Sequence, residues 1–285
     1  MKVLVIGASG LVGSHVLHTC QQRGWNVMGT YHNVPQSGLI PLEITDETSV
    51  KSLITQSQPE VVFLPAFLSN VDYCEQNPEE TDQINIVGSL NVAQATREVG
   101  AKFVFYSSDY VFNGENGPYQ EIDEPDPICV YGRQKLEVEQ KISELLDDYL
   151  ICRIAWVYGQ EKQGKNFVLR LISTLKNHQT IRVPQDQIGS PSLANDIAEA
   201  SCRFIEVEAK GLFHTTGSDC INRYQFAVKI AEMFGLDADL IIPVNTSQLN
   251  QVAPRPLKCG MRCDRLKQML NWNLRGVVDG LSHIK

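Results

Sequence analysis

No stretch of this sequence approaches the ~18 consecutive apolar residues that a membrane-crossing helix requires, so a helical membrane protein is not expected. The apolar run near the start, Val3 to Ile6, is too short for a secretory signal core, and a cytoplasmic protein with reduced thiols is the expectation. Positive charge is also in short supply. With 25 Lys and Arg against 33 Asp and Glu the net charge is −8, which argues against nucleic-acid binding by cation density and towards a small-molecule partner. Metal-ligand spacing is missing too. Among eight cysteines, Cys259 and Cys263 form a C-x3-C pair without a second pair, and His15 and His18 have no third ligand nearby, so no metal is expected. No repeat with a period of about 20 to 50 residues is evident.

What is present is a globular composition, 43% apolar and 20% charged, in 285 residues, enough for one large domain or two closely joined ones. Buried-strand patterns at 2–6, 26–31, 61–64 and 102–106 alternate with helical spacing at 11–23, 45–56 and 78–100. A helix at 131–146 and a strand at 149–156 continue the rhythm across an acidic Gly- and Pro-rich loop at 113–127. The implied fold is α/β: a Rossmann-type, doubly wound parallel sheet built from right-handed βαβ crossovers. After Gly159 the rhythm loosens, with helices at 166–176, 195–206 and 222–234 and a strand at 211–215. Residues 1–158 are therefore expected to form a dinucleotide-binding domain, with 187–215 returning to it. The segments 159–186 and 216–285 would form a smaller, interleaved C-terminal substrate domain.

Between the first strand and first helix stands Gly7-Ala8-Ser9-Gly10-Leu11-Val12-Gly13. The spacing alone is weak, because glycines fall into it by chance; its place on the first strand-to-helix turn makes it a signal. There the backbone can approach a pyrophosphate, and the N–H groups and dipole of the helix stabilise its charge. Gly7, Ser9, Gly10, Leu11, Val12 and Gly13 are the candidate cofactor loop. The end of the second strand, Gly29-Thr30-Tyr31-His32-Asn33, carries no carboxylate to repel a 2′-phosphate, which favours NADP (NADPH), with NAD left open by the absence of Arg or Lys there.

Two Tyr-x-x-x-Lys spacings occur, at Tyr131/Lys135 and Tyr158/Lys162. The chemistry needs both side chains on one helical face, where an ammonium can lower the tyrosine pKa towards neutrality. Only the first lies in a predicted helix. The strand at 102–106 runs into Ser107-Ser108-Asp109-Tyr110-Val111, at the carboxyl edge of the sheet where open α/β proteins bind ligands.

With these elements in place, the sequence resembles the extended short-chain dehydrogenases/reductases and, within them, the dTDP-4-dehydrorhamnose reductase family. The resemblance runs from residue 1 to about 265 and rests on GASGLVG, SSDYVFNG, YGRQK, RIAWVYG, Asn166-Phe167, DQIGSPS with Asn195-Asp196-Ile197-Ala198, and GLFH. It implies that Ser108 holds a substrate carbonyl, Tyr131 gives a proton, and Lys135 tunes Tyr131 and binds the nicotinamide ribose. Asn85 would help position the lysine. Glu43 and Ile44 would contact adenine; Pro65, Ala66, Phe67 and Ser107 would line the cofactor. Asp109, Tyr110, Val111, Trp156, Asn166 and Arg255 would face a nucleotide-sugar substrate, Arg255 neutralising its diphosphate. The implied reaction is reduction of a nucleotide-linked 4-keto-6-deoxy sugar, as in dTDP-rhamnose synthesis. A homodimer is compatible with this reading; Mg²⁺, which some members carry, finds no acidic cluster here.

Two departures are visible. Leu64-Pro65-Ala66-Phe67 stands where the family commonly has Asn-Ala-Ala-Ala, and Arg255-Pro256-Leu257-Lys258-Cys259-Gly260-Met261 replaces an R-P-x-N-S-x-L pattern, so the sugar is open. A 4,6-dehydratase is disfavoured because Asp109 is followed by Tyr110, not a glutamate base. An epimerase remains as an alternative. So does a noncatalytic subunit, since the methionine adenosyltransferase β subunit resembles the same reductases.

Overall fold

The apolar runs of the sequence become the strands of one sheet. In this computed structural model, which describes residues 1–285, the order is β1 (Lys2–Val5), α1 (Leu11–Gln22), β2 (Asn26–Tyr31), β3 (Leu39–Pro41), α2 (Glu47–Ser57) and β4 (Val61–Leu64). Then come α3 (Val71–Gln76), α4 (Pro78–Asp82), α5 (Gly88–Glu98), β5 (Lys102–Ser108), α6 (Val130–Leu145) and β6 (Tyr149–Ile154). The seven-stranded sheet has the order Gly211–His214, β6, β5, β4, β1, β2, β3, and every neighbouring pair is parallel. Chain order reverses at the β1/β4 boundary, the place where open α/β sheets leave a crevice at the carboxyl ends of their strands.

Both faces of the sheet are covered, which is why the strands read as continuous apolar runs. Val3, Val5, Val61, Phe63, Val104 and Tyr106 pack on one side with Val16 and Cys20 of α1. Leu4, Ile6, Val62, Leu64, Phe103 and Phe105 pack on the other with Val50 and Ile54 of α2, Val92 and Ala93 of α5 and Val138 and Ile142 of α6. The period-two alternation fixes the register, since a one-residue slip would exchange the two faces. A third core joins the helices Phe167–Lys176, Arg223–Phe234 and Val277–Ile284 with the parallel strand pair Ile181–Pro184 and Ile241–Val244.

The structure differs from the sequence expectations in places that matter below. The fifth strand extends two residues beyond Tyr106, so Ser107 and Ser108 sit on a strand end. The sixth stops at Ile154, because Trp156 has a left-handed backbone (φ 42°). The helix expected at 78–100 contains a π-helical turn at Gln83–Val87. The short helices Asp264–Leu270 and Val277–Ile284 went unpredicted, and neither has a side-chain N-cap to announce it. Leu266 and Leu274 join the sheet-side core although they lie in the segment 216–285 assigned to the substrate domain. All eight cysteines are free, and no helix is long and apolar enough to cross a membrane.

Candidate active site

A cleft of about 600 Å³ runs along the carboxyl ends of the central strands. At one end lies the first turn of α1. Its N-cap, Gly10, makes no side-chain capping bond and the first turn holds no acid, so the N–H donors that every helix start leaves unpaired remain available. Gly7 has φ +94° and its missing Cβ would sit 2.8 Å from the Ala66 Cβ; a Cβ on Gly13 would come 2.1 Å from the Gly7 carbonyl oxygen. These two glycines are demanded by the protein's own packing. Gly10 is different: a Cβ there would meet only the Gly7 carbonyl oxygen, at 3.4 Å, so the space its glycine leaves belongs to the cleft. An uncapped, acid-free helix start fronted by such a cradle fits a dinucleotide pyrophosphate. Gly10, Leu11, Val12 and Gly13 line the cleft; Gly7 and Ser9 shape the turn without lining it.

The rest of the expected cofactor set divides. Pro65 and Phe67 line the cleft, whereas Ala66 packs on Gly7 and Ile44 is buried against Gly88. Glu43 meets His32 at 2.7 Å beyond the ends of β2 and β3. The tip of the second strand is therefore not without a carboxylate: the neighbouring strand brings one, paired to His32 when that ring is protonated, which the second-strand sequence by itself does not show.

Near the middle of the cleft stand Ser107, Ser108, Tyr131 and Lys135. Tyr131 and Lys135 lie one turn apart on α6 and face the same way, as the spacing requires. The Tyr158/Lys162 spacing has no such geometry, because Tyr158 is buried in the third core against Gly280. The Tyr131 ring is held edge-on between Phe67 (5.7 Å) and Tyr110 (5.6 Å). The Lys135 ammonium donates to the Tyr106 carbonyl at 2.5 Å and sits 3.4 Å from the Phe67 ring centre. Ser108 Oγ donates to Asp109 Oδ1 at 2.9 Å and accepts from the Tyr110 N–H at 3.2 Å.

Burial pushes the Tyr131 phenol well above its ordinary pKa, with the Ser108 hydroxyl pulling the other way. The Lys135 ammonium, expected to bring that phenol towards neutrality, donates here to the Tyr106 carbonyl and lies 5.9 Å from the Tyr131 ring centre. Burial also holds Lys135 well below its usual value, opposed by the charge of Glu139 one turn further along α6. A phenol that keeps its proton is a proton donor, the form a carbonyl reduction needs.

The Asn85 amide accepts from the Leu68 N–H (2.8 Å) and donates to the Leu68 carbonyl (3.1 Å) and Gln134 Oε1 (2.7 Å) and makes no direct bond to Lys135. It ties the loop after β4 to α6 and so acts on the residue before the lysine.

On the substrate side, Asp109, Tyr110, Trp156 and Asn166 line the cleft. Asn166 also caps the helix Phe167–Lys176 and donates to the Gly159 carbonyl. Val111 is fully buried in a small core with Phe112 and Tyr119 and does not reach the cleft. Arg255, expected to face a diphosphate, already pairs with Asp72 at 2.9 Å, donates to the Ala253 carbonyl and lies off the cleft lining. Cys259, at one of the departing positions, places its thiol 3.5 Å from the Asp109 carbonyl.

Three charged residues escaped the sequence reading. Glu139 and Arg153 form a buried two-pronged ion pair (2.9 and 2.6 Å) behind Lys135. Arg223 lies over the Trp156 ring at 4.0 Å. A sequence signal for Arg223 existed: it opens a helix whose N-cap is Asn222, and a cation there opposes the helix dipole.

The comparisons agree with this geometry. The RmlD substrate binding domain family matches residues 1–284. The crystal structure of a Bacillus anthracis dTDP-4-dehydrorhamnose reductase in complex with NADP superimposes with a TM-score of 0.92 and 28% identity, covering 99% of this chain and 98% of that one. The probable low-salt glycan biosynthesis reductase of Haloferax volcanii is 34% identical over 292 residues, 100% of this chain and 97% of its own length. The methionine adenosyltransferase 2 β subunit of Bos taurus is 30% identical over 275 residues, 94% of this chain and 82% of that protein. With a parallel sheet, a glycine-cradled helix start and a Ser–Tyr–Lys cluster on one cleft, and a family match over nearly its whole length, the chain belongs to the RmlD substrate binding domain family, the dTDP-4-dehydrorhamnose reductases of the extended short-chain dehydrogenase/reductase superfamily.

Proposed function

We propose that this protein uses NADPH to reduce the C4 carbonyl of a nucleotide-linked 4-keto-6-deoxy sugar, with a dTDP-linked sugar as the first candidate. The observation that carries the reading is the placement of Ser108, Tyr131 and Lys135 on the same cleft as the uncapped start of α1. The first turn of α1 would hold the pyrophosphate, and Pro65, Phe67, Ser107 and Lys135 the nicotinamide half. When bound, the dihydronicotinamide supplies a hydride to the carbonyl carbon. Ser108 offers its hydroxyl to the carbonyl oxygen and polarises it. Tyr131 hands that oxygen its proton as the C=O bond becomes C–OH, and its high pKa keeps the proton in place until then. To stabilise the phenolate left behind, the Lys135 ammonium would turn from the Tyr106 carbonyl towards Tyr131, one helical turn away on the same face of α6. Trp156, Asp109 and Tyr110 form the wall against which the sugar lies, with the residues beyond Tyr158 supplying most of the cap. A protein of this kind fits the cytoplasm.

The test is a panel of dTDP-, UDP- and GDP-linked 4-keto sugars with NADPH, followed by the absorbance of the reduced cofactor. Oxidation that requires both the sugar and Tyr131 supports the proposal. The 30% identity to a methionine adenosyltransferase β subunit favours a second reading, a noncatalytic partner of another enzyme. Silence across the panel, together with co-purification of a synthetase, would establish that reading instead.

A further inference from the structure

The Ser108 hydroxyl has a single proton and two acceptors that want it. Its oxygen accepts from the Tyr110 N–H at 3.2 Å and lies 2.9 Å from Asp109 Oδ1, and both Ser108 and Asp109 line the cleft. A hydroxyl carries one proton and two lone pairs, whereas an ionised carboxylate only accepts. Beside an ionised Asp109, therefore, the proton of Ser108 is spent on Oδ1 and none is left for a substrate carbonyl. A protonated Asp109 reverses the bond. Its O–H donates to Ser108 Oγ, the Tyr110 N–H fills the second lone pair, and the serine proton is free to point at the carbonyl oxygen. The surroundings favour that neutral form: Asp109 is 2% exposed, and its second oxygen, Oδ2, is buried without a hydrogen-bond partner. A buried carboxylate with one oxygen unpaired is costly, a carboxylic acid much less so.

We infer that Asp109 is a positioning residue that works in its protonated form, turning the Ser108 hydroxyl from Asp109 Oδ1 to the substrate carbonyl. This inference rests on the reductase reading above and adds to it a protonation state on which the site depends. The Asp109 proton is held and not transferred; Tyr131 remains the donor to the carbonyl oxygen. A neutral Asp109 also puts no negative charge beside the oxygen on which charge develops. The titratable and charged groups around it are Tyr110 in the same turn, Tyr131 on α6, Cys259, whose thiol is 3.5 Å from the Asp109 carbonyl oxygen, and Arg223. Burial pushes both phenols and the thiol up, so all three stay neutral. Of these groups only Arg223 draws the Asp109 carboxyl down; burial outweighs it and places that carboxyl at about 7.

The pH dependence of turnover tests it. For wild type, Asp109→Asn and Ser108→Ala, kcat/KM with NADPH and a nucleotide-linked 4-keto-6-deoxy sugar is measured from about pH 5.5 to about pH 9. Melting temperature and NADPH affinity confirm that each variant is folded with an intact cofactor site. An asparagine amide can donate at every pH, as the protonated acid does, so the shape of each profile is read rather than its height. Wild type should fall about tenfold per pH unit above about pH 7 and level off about 100- to 1,000-fold lower, the value of one lost oxyanion donor. That level should approach the activity of Ser108→Ala. Both variants should lack the fall, and any alkaline limb left in them belongs to Lys135. A merely structural role for Asp109 would lower the whole Asp109→Asn profile and keep its shape, which overturns the inference. The same fall persisting in Ser108→Ala, or a folded Asp109→Asn inactive at every pH, would overturn it as well. Should Asp109→Asn not fold, the Ser108→Ala profile decides alone. A wild type inactive on every keto sugar would overturn the reductase reading and this inference with it, whereas an active wild type without the fall overturns this inference alone.

Discussion

The two ends of the cleft are built from different materials. The cofactor end is made of backbone: Gly7, Gly10 and Gly13 shape a turn, and the N-terminus of α1 presents N–H groups that no side chain supplies. The sugar end is made of side chains from distant parts of the chain, Asp109 after β5, Trp156 after β6 and Asn166 before a helix. A backbone site serves any ligand with a pyrophosphate. A side-chain site can change its ligand through single substitutions without disturbing the sheet.

The largest separation of the two ends should come from Tyr131→Phe. Loss of the proton donor should lower kcat by about 100- to 10,000-fold. The NADPH dissociation constant, measured by fluorescence titration, should stay within a few-fold of wild type. Glu139→Gln should act on neither ligand first but on the support beneath Lys135. It leaves the Arg153 guanidinium buried and unpaired, which costs about 3–5 kcal/mol in denaturant unfolding. Gly13→Ala breaks the comparison from the other side. Its Cβ would press on the Gly7 carbonyl, costing about 1–3 kcal/mol and weakening NADPH binding while the sugar wall keeps its residues.

A smaller effect should appear in the pH dependence of stability. Burial pushes the Asp109 carboxyl up from 3.8 to about 7, against the pull of the Ser108 hydroxyl and of Arg223. Between those values the folded protein binds more protons at this site than the unfolded chain, so this group's contribution falls as pH rises from about 4 to 7 and is flat on either side. Asp109→Asn removes that slope. Melting curves across this range should show wild type losing ground to the variant as pH rises; parallel curves would show that Asp109 ionises normally. The smallest effect should be at Glu43. Replacing it with Ala takes away the carboxylate paired to His32 and should shift the kcat/KM ratio towards NADPH over NADH by a few-fold.

This division also explains what could be read in advance. The sheet, its parallel order and the cofactor turn were legible because strand burial, helix spacing and glycine placement are local patterns in the chain. Tyr131 and Lys135 were legible for the same reason, being one helical turn apart. Arg223, Asp72 and the Glu139–Arg153 pair were not, since each acquires its meaning from a residue on another element, from 14 to more than a hundred positions away. The pairing of Arg255 with Asp72 was not visible in advance, the two lying far apart in the chain. The bonds of the Asn85 amide to Leu68 and Gln134 were not legible either, because they join a loop and a helix distant in the chain.

The central claim is that this cleft delivers a hydride and a proton to the two atoms of one carbonyl. It is tested most directly by turning over a nucleotide-linked 4-keto-6-deoxy sugar with NADPH deuterated at the transferring position of its nicotinamide. The account predicts one deuterium at C4 of the product sugar and none there when the label is supplied as D2O instead. Label entering C4 from D2O, or a product formed without consumption of the reduced cofactor, would contradict it.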